Sequence, residues 1–173
     1  DIFVIPTVGC VNGVCREIVA LSQKYVRGSI DGIFALTHQF GCSQLGDDAE
    51  NIAKLLCSVA LNPNAGKVLI VGLGCENNGI DGMKKRLEPY NRGNIRYLNC
   101  QDVSDEIAEG VAIVEAFAEE AKDYVRKALP LSLLRVGLKC GGSDGFSGLT
   151  ANPLVGRFTD RLVSLGGNAV FTE

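Results

Sequence analysis

What the chain lacks narrows its class first. It has no run of Lys or Arg longer than the three residues 84–86, and its 17 basic side chains are outnumbered by 20 acidic ones, for a net charge of −3. No nucleic-acid footprint is therefore expected. No apolar stretch reaches the length of a membrane span, and no signal-peptide pattern opens the sequence, so no membrane partner is expected. The seven cysteines are Cys10, Cys15, Cys42, Cys57, Cys75, Cys100 and Cys140, with no CxxC pair among them. A structural zinc site of the usual spacing is thereby disfavoured. Their odd number and wide spread, in a chain too long to need disulfide staples, point to free thiols or metal ligands in a cytoplasmic protein. Histidine is nearly absent, His38 being the only one. There is no internal repeat and no low-complexity linker.

What is present fits a single α/β domain over residues 1–173, of a size able to bury a real core. Residues 1–6 read as a strand that starts without preamble, as in a piece of a longer polypeptide. Strand and helix patterns then alternate. Strands are expected at 2–7, 32–36, 67–73, 94–99, 133–139 and 169–172. The run Lys67–Leu73 is apolar on both faces, as a central parallel strand should be. Helical spacing links Val14, Ile18, Leu21 and Tyr25, and then Leu45, Ala49, Ile52, Leu56 and Val59. A short helix is expected near 81–87. The longest stripe runs from Val103 to Val125, with Asp102 as its expected cap and Pro130 as its stop. Asn152 and Pro153 read as the N-cap and first turn of a last helix, whose face carries Leu154, Phe158, Leu162 and Leu165. About six strands in a mostly parallel sheet, covered on both faces, describe a Rossmann-like three-layer sandwich. Strand order is not legible from this pattern.

In such folds ligands sit beyond the carboxyl ends of the strands. Five cysteines fall there: Cys10 after the first strand, Cys42 after the second, Cys75 after the third, Cys100 after the fourth and Cys140 after the fifth. Thiolates gathered at one edge suit a soft or borderline metal such as iron. Cys42, Cys75 and Cys140 are the first candidates for ligands, with Cys10 next. Cys15 and Cys57 sit within apolar helix faces and read as small buried hydrophobes, and Cys100 leans the same way. His38 ends the second strand, four residues before Cys42, and is a candidate ligand or general acid/base.

Two glycine motifs imitate known ones and fail on inspection. The segment from Gly141 to Gly145 matches G-x-S-x-G, but no helix follows at once and no His follows Ser143. Gly72 and Gly74 would need a third glycine at position 77, which is Asn, so a nicotinamide-binding oxidoreductase is a weak reading. The loop after the fifth strand reads better as an anion cradle. Gly141 and Gly142 would offer backbone N–H groups, with Ser143 and Asn152 as neutral donors, to the carboxylate of a polyhydroxy acid. Asp144 would orient hydroxyls or serve as a base.

The fifteen residues from Lys139 to Pro153, KCGGSDGFSGLTANP, closely resemble the signature of the altronate/galactarate dehydratase family. The stretch from Pro6 to Cys10, the pair Thr37 and His38 with Gly41 and Cys42, the stretch from Val71 to Glu76 and the ending from Gly166 to Glu173 resemble other blocks of that family in the same order. Phe40 stands where the family tends to carry a small residue, which predicts a different pocket. The resemblance implies a hydro-lyase acting on a small sugar acid, with dependence on iron, as Fe2+ or an iron–sulfur cluster, or on another divalent metal. It also implies the remaining domains of the same enzyme as partners, so that this segment carries a partial active site. A homo-oligomer is compatible with the sequence. The same family includes sulfolactate sulfo-lyases, which expel sulfite instead of water, and this segment does not separate the two activities. A non-catalytic binding or assembly domain with buried, inert thiols is the competing class.

Overall fold

The structure is a computed structural model that describes residues 1–139, 141–142 and 144–172. The chain forms two compact units, Asp1–Val125 and Arg126–Glu173.

The first unit holds four strands and four helices: β1 Ile2–Pro6, α1 Asn12–Ser22, β2 Ile33–Ala35, α2 Gly46–Ala60, β3 Lys67–Gly72, α3 Ile80–Leu87, β4 Ile95–Asn99 and α4 Glu106–Ala121. The strands form one sheet in the order β2-β1-β3-β4, every pair parallel. Every residue of β3 is buried, as its unbroken apolar run predicts for a central strand. Alternate residues serve opposite faces. Ile2, Val4, Leu69, Val71 and Leu98 pack with Cys15, Ile18, Val114, Phe117 and Ala118 of α1 and α4. Ile5, Val68, Ile70 and Ile95 pack with Leu56, Cys57, Met83 and Leu87 of α2 and α3. The winding explains this segregation. The step from β1 to β2 runs one way along the sheet and later steps run the other way, so right-handed crossovers put α1 on one face and α2 and α3 on the other.

Two local expectations are corrected. Helix α4 is capped by Asp105, whose carboxylate accepts the Ala108 N–H at 2.9 Å. Asp102 instead accepts from the Asn99 carboxamide at 2.9 Å. The helix also ends at Ala121, well before Pro130, and Val125 lies beyond it, 82% exposed. Within α4, Gly110 is buried because a Cβ there would stand 2.7 Å from Ile18 Cγ1, so the glycine is what lets α1 and α4 approach.

The second unit is one strand–helix–strand element: β5 Arg135–Lys139, α5 Ala151–Ser164 and β6 Asn168–Thr172. Its two strands are parallel, with Arg135 opposite Asn168 and Lys139 opposite Thr172. Among the described residues six strands are thus present, as expected for this α/β chain, but they are shared between a four-stranded and a two-stranded sheet. Among the described residues no helix is long and apolar enough to cross a membrane.

Candidate functional site at the carboxyl edge

The strand order fixes where a ligand crevice should open. The winding reverses between β1 and β3, and open parallel sheets take ligands at such a reversal, beyond the carboxyl ends of the strands. Thr7 follows β1 and is fully buried; Glu76 lies just past β3 and is 9% exposed. The Thr7 hydroxyl donates to Glu76 Oε1 at 2.5 Å, across the reversal. The same carboxylate accepts the Leu73 N–H at 3.1 Å and the Gly74 N–H at 2.7 Å. Burial pushes the Glu76 carboxyl up. The bonds from Thr7 and from the backbone N–H groups of Gly74, Glu76 and Leu73 outweigh that and hold it below the usual carboxylate range.

The loops after β1, β2 and β3 are stitched together by backbone and carboxamide groups. Gly9 N–H donates to Phe40 O at 2.8 Å. The Asn12 carboxamide grips the His38 backbone at both groups, donating to its carbonyl at 2.6 Å and accepting its N–H at 3.4 Å. Asn78 donates from its backbone to Gly41 O and from its side chain to Thr7 O, and the Asn77 side chain donates to Cys42 O at 3.2 Å. Gly41 sits at φ +112°, where a Cβ would stand 2.7 Å from Val8 Cα and closer still to Thr7 O. Glycine is required there by both conformation and space.

His38 is held at both ring nitrogens. Nε2 lies 2.8 Å from Pro6 O, and Nδ1 accepts the Phe40 N–H at 3.1 Å. A carbonyl only accepts and a backbone N–H only donates, so the tautomer protonated at Nε2 satisfies both. For His38 to ligate a metal or move a proton, one of these bonds must be exchanged. Phe40 stacks on the His38 ring with centroids 6.1 Å apart.

Cys10, Asn12, His38, Phe40 and Cys42 border one cleft of about 290 Å³. Cys10, Cys42 and Cys75 are exposed thiols, and Cys75 sits on the next turn. That turn's neighbours Gly74 and Glu76 border a second, polar cleft of about 400 Å³ with Asn77, Asp81, Asn99 and Asp102. Cys15 and Cys57 are buried, as expected, and Cys100 is half-buried against the core. Burial, then the nearby Cys100, pushes the Cys15 thiol up to about 12. Burial, then Glu106 and Glu76, pushes Cys100 up to about 11. Both stay protonated thiols at neutral pH. Among the described residues no group of three or more His, Cys, Asp or Glu side chains is arranged to hold a metal ion. The described thiols therefore do not fit a complete metal site by themselves.

The glycine loop belongs to the second unit. Cys140 and Ser143 lie outside the described residues. Gly141 and Gly142 are exposed, and Gly142 has a φ of +141°. Asp144 makes a local turn, its carboxylate accepting the Phe146 N–H at 3.1 Å and its carbonyl accepting the Ser147 hydroxyl at 2.7 Å. Asn152 is exposed inside the first turn of α5, one residue past the start of that helix, with its N–H donated to Ser147 O at 2.8 Å.

Sequence reasoning gave no role to Glu76, Thr7, Asn12, Asn77 or Asn78. The signal for Glu76 was available: a carboxylate two residues after Gly74 can reach back to the turn's own N–H groups.

The chain is thus an α/β protein whose polar loops converge at the carboxyl edge of a parallel sheet. It belongs to the D-galactarate dehydratase/altronate hydrolase family: the pattern of that family's second domain matches residues 1–122, and that of the D-galactarate/altronate dehydratase C-terminal region matches residues 131–173. Over its whole length it is 49% identical to an altronate dehydratase of Bacillus subtilis and 41% identical to one of Escherichia coli, in each case covering 35% of the relative. It is 31% identical, over 91% of its length and 40% of the relative, to the (2R)-sulfolactate sulfo-lyase subunit beta of Chromohalobacter salexigens. The chain therefore spans about a third of the length of the curated altronate dehydratases it matches.

Proposed function

We propose that this chain is the central part of a hydro-lyase that dehydrates a sugar acid of the altronate or galactarate type. The observation that carries the reading is the match, over all of its residues, to an altronate dehydratase at 49% identity. The reaction removes the proton beside the carboxylate and expels the neighbouring hydroxyl as water, leaving an enol that becomes a 2-keto-3-deoxy acid. Negative charge builds on the carboxylate oxygens in the first step, and fixed donors there lower the barrier.

In this reading Gly141, Gly142, Ser143 and Asn152 hold the substrate carboxylate, and Asp144 orients a hydroxyl or takes the proton. His38 is the candidate general acid/base of the first unit. Iron, as Fe2+ or a cluster, or another divalent metal, stays in the proposal as what the family resemblance implies, with Cys10, Cys42, Cys75 and Cys140 as its thiolate donors. When bound it would supply a Lewis acid for the leaving hydroxyl. The described residues do not gather three such donors, so no step is routed through it.

The test is a chimera in which this chain replaces the matching segment of the Bacillus subtilis relative, assayed anaerobically with added iron(II). Turnover of altronate or galactarate to a keto acid is expected. Sulfite release from (2R)-sulfolactate in its place would favour the lyase activity named for the Chromohalobacter relative. A folded chimera inactive on all three acids would leave the binding or assembly reading and overturn this one. Iron content unchanged by Cys42→Ala and Cys140→Ala would count against the thiolate donors.

A further inference from the structure

We propose that the Glu76 carboxylate is a built-in anion: it fills from within the crevice between β1 and β3, and so acts as the positioning residue for the turn that carries Cys75. The inference does not depend on the sugar-acid reading. It starts from what that crevice ordinarily does. At the reversal of a parallel sheet, backbone N–H groups after a central strand are aimed at an incoming anion. Here the N–H groups of Leu73 and Gly74 are aimed in that way, and both end on Glu76.

Three features mark the carboxylate as a ligand substitute rather than a surface acid. It is buried, with 9% exposure. Its partners are donors, among them the Leu73 and Gly74 N–H groups and the fully buried Thr7 hydroxyl. The backbone is also shaped around it. A Cβ at Gly72 would stand 2.8 Å from Glu76 Oε1, and Gly74 turns at φ +121°. Thr7 is bound from its far side too, its carbonyl accepting from Asn78 and its N–H donating to Val71 O at 2.8 Å. The carboxylate therefore ties the end of β1 to the turn after β3, and an external phosphate or carboxylate finds these donors already taken.

The experiment is chemical rescue of the full chain, with sodium formate as the probe and sodium chloride at equal ionic strength as the control. In Glu76→Ala the amide hydrogens of Leu73 and Gly74 should exchange about 10- to 100-fold faster, the effect of losing a hydrogen bond to a charged group. Formate should restore most of that protection and raise the unfolding midpoint in proportion to the logarithm of its concentration. Chloride should not. Wild type should not respond to formate, because its crevice is filled. Adding Thr7→Val to Glu76→Ala should weaken the formate response about tenfold. Glu76→Gln keeps the volume, loses the charge and turns one accepting oxygen into an NH2 that only donates, so it should lose protection at Leu73 or Gly74 yet gain nothing from formate. Equal effects of formate and chloride on Glu76→Ala, or an equal formate response in wild type, would overturn the proposal. If Glu76→Ala does not fold, Glu76→Gln decides alone: wild-type exchange at Leu73 and Gly74 refutes the assignment. These readouts are independent of turnover by the chimera, so each reading fails separately.

Discussion

Replacing Gly41 with alanine should unfold the carboxyl edge of the first unit at a cost far above that of an ordinary loop mutation. Gly41 sits at φ +112°, a region that residues with a Cβ enter at a cost of roughly 1–3 kcal/mol. The new Cβ would also stand 2.7 Å from Val8 Cα and 3.0 Å from Val8 Cβ. Those are the body of the chain after β1, not the end of a flexible side chain. Moving them strains the Gly9-to-Phe40 and Asn78-to-Gly41 hydrogen bonds, at a further cost of roughly 1–3 kcal/mol. The total is about 2–6 kcal/mol, a large part of the stability of a typical domain. Urea unfolding followed by far-UV circular dichroism measures it, with the slope checked against wild type. Gly13→Ala is the control: it lies in α1 with nothing within 4 Å of a Cβ, and should gain about 0.5–1 kcal/mol from helix propensity. A Gly41→Ala midpoint equal to wild type would refute the close packing of the three loops.

Gly110→Ala should destabilise by about 1–3 kcal/mol by driving a methyl into Ile18, and Ile18→Val in the same chain should recover part of the loss; thermal melts of the double-mutant cycle read it. Cys10, Cys42 and Cys75 should react rapidly with a thiol reagent at neutral pH, while Cys15, Cys57 and Cys100 react only on unfolding, as peptide mapping by mass spectrometry would show. Alkali should destabilise the chain through Cys15, whose folded value is raised from 9.0 to about 12. The unfolded thiol ionises first, so this contribution is complete below pH 9 and is lost as pH climbs toward 12, visible as a falling melting temperature in that window. Glu120→Ala should cost about 1–3 kcal/mol, because it strips the ion-pair partner from Lys67, whose side chain is only 7% exposed. Lys67→Met in that background should restore stability, measured by urea midpoint.

Periodicity carried most of the secondary structure. The apolar runs of β1 and β3 are local signals, and so are the stripes of α1, α2 and α3, so each element was legible close to its observed bounds. The buried states of Cys15 and Cys57 followed from the same helical faces. The misreadings were also local: two acids, Asp102 and Asp105, competed to cap α4, and only the backbone geometry selects the one that reaches the Ala108 N–H. At the site, the sequence placed the thiols and His38 at the carboxyl ends of strands, because loop position follows from strand position. It did not see that both His38 nitrogens are taken by backbone groups, one of them contributed by Pro6, 32 residues away.

By itself, then, the sequence determined an α/β chain with six strands, a parallel habit, a glycine- and cysteine-rich edge and a family likeness. Each of these rests on neighbours along the chain or on a contiguous motif. Tertiary structure decided the order β2-β1-β3-β4, the division of the strands into two sheets, and the crevice that Glu76 fills. The physical reason is range. Strand order is set by which apolar faces meet, and the bond from Thr7 to Glu76 joins residues 69 apart, a pairing that no periodicity encodes.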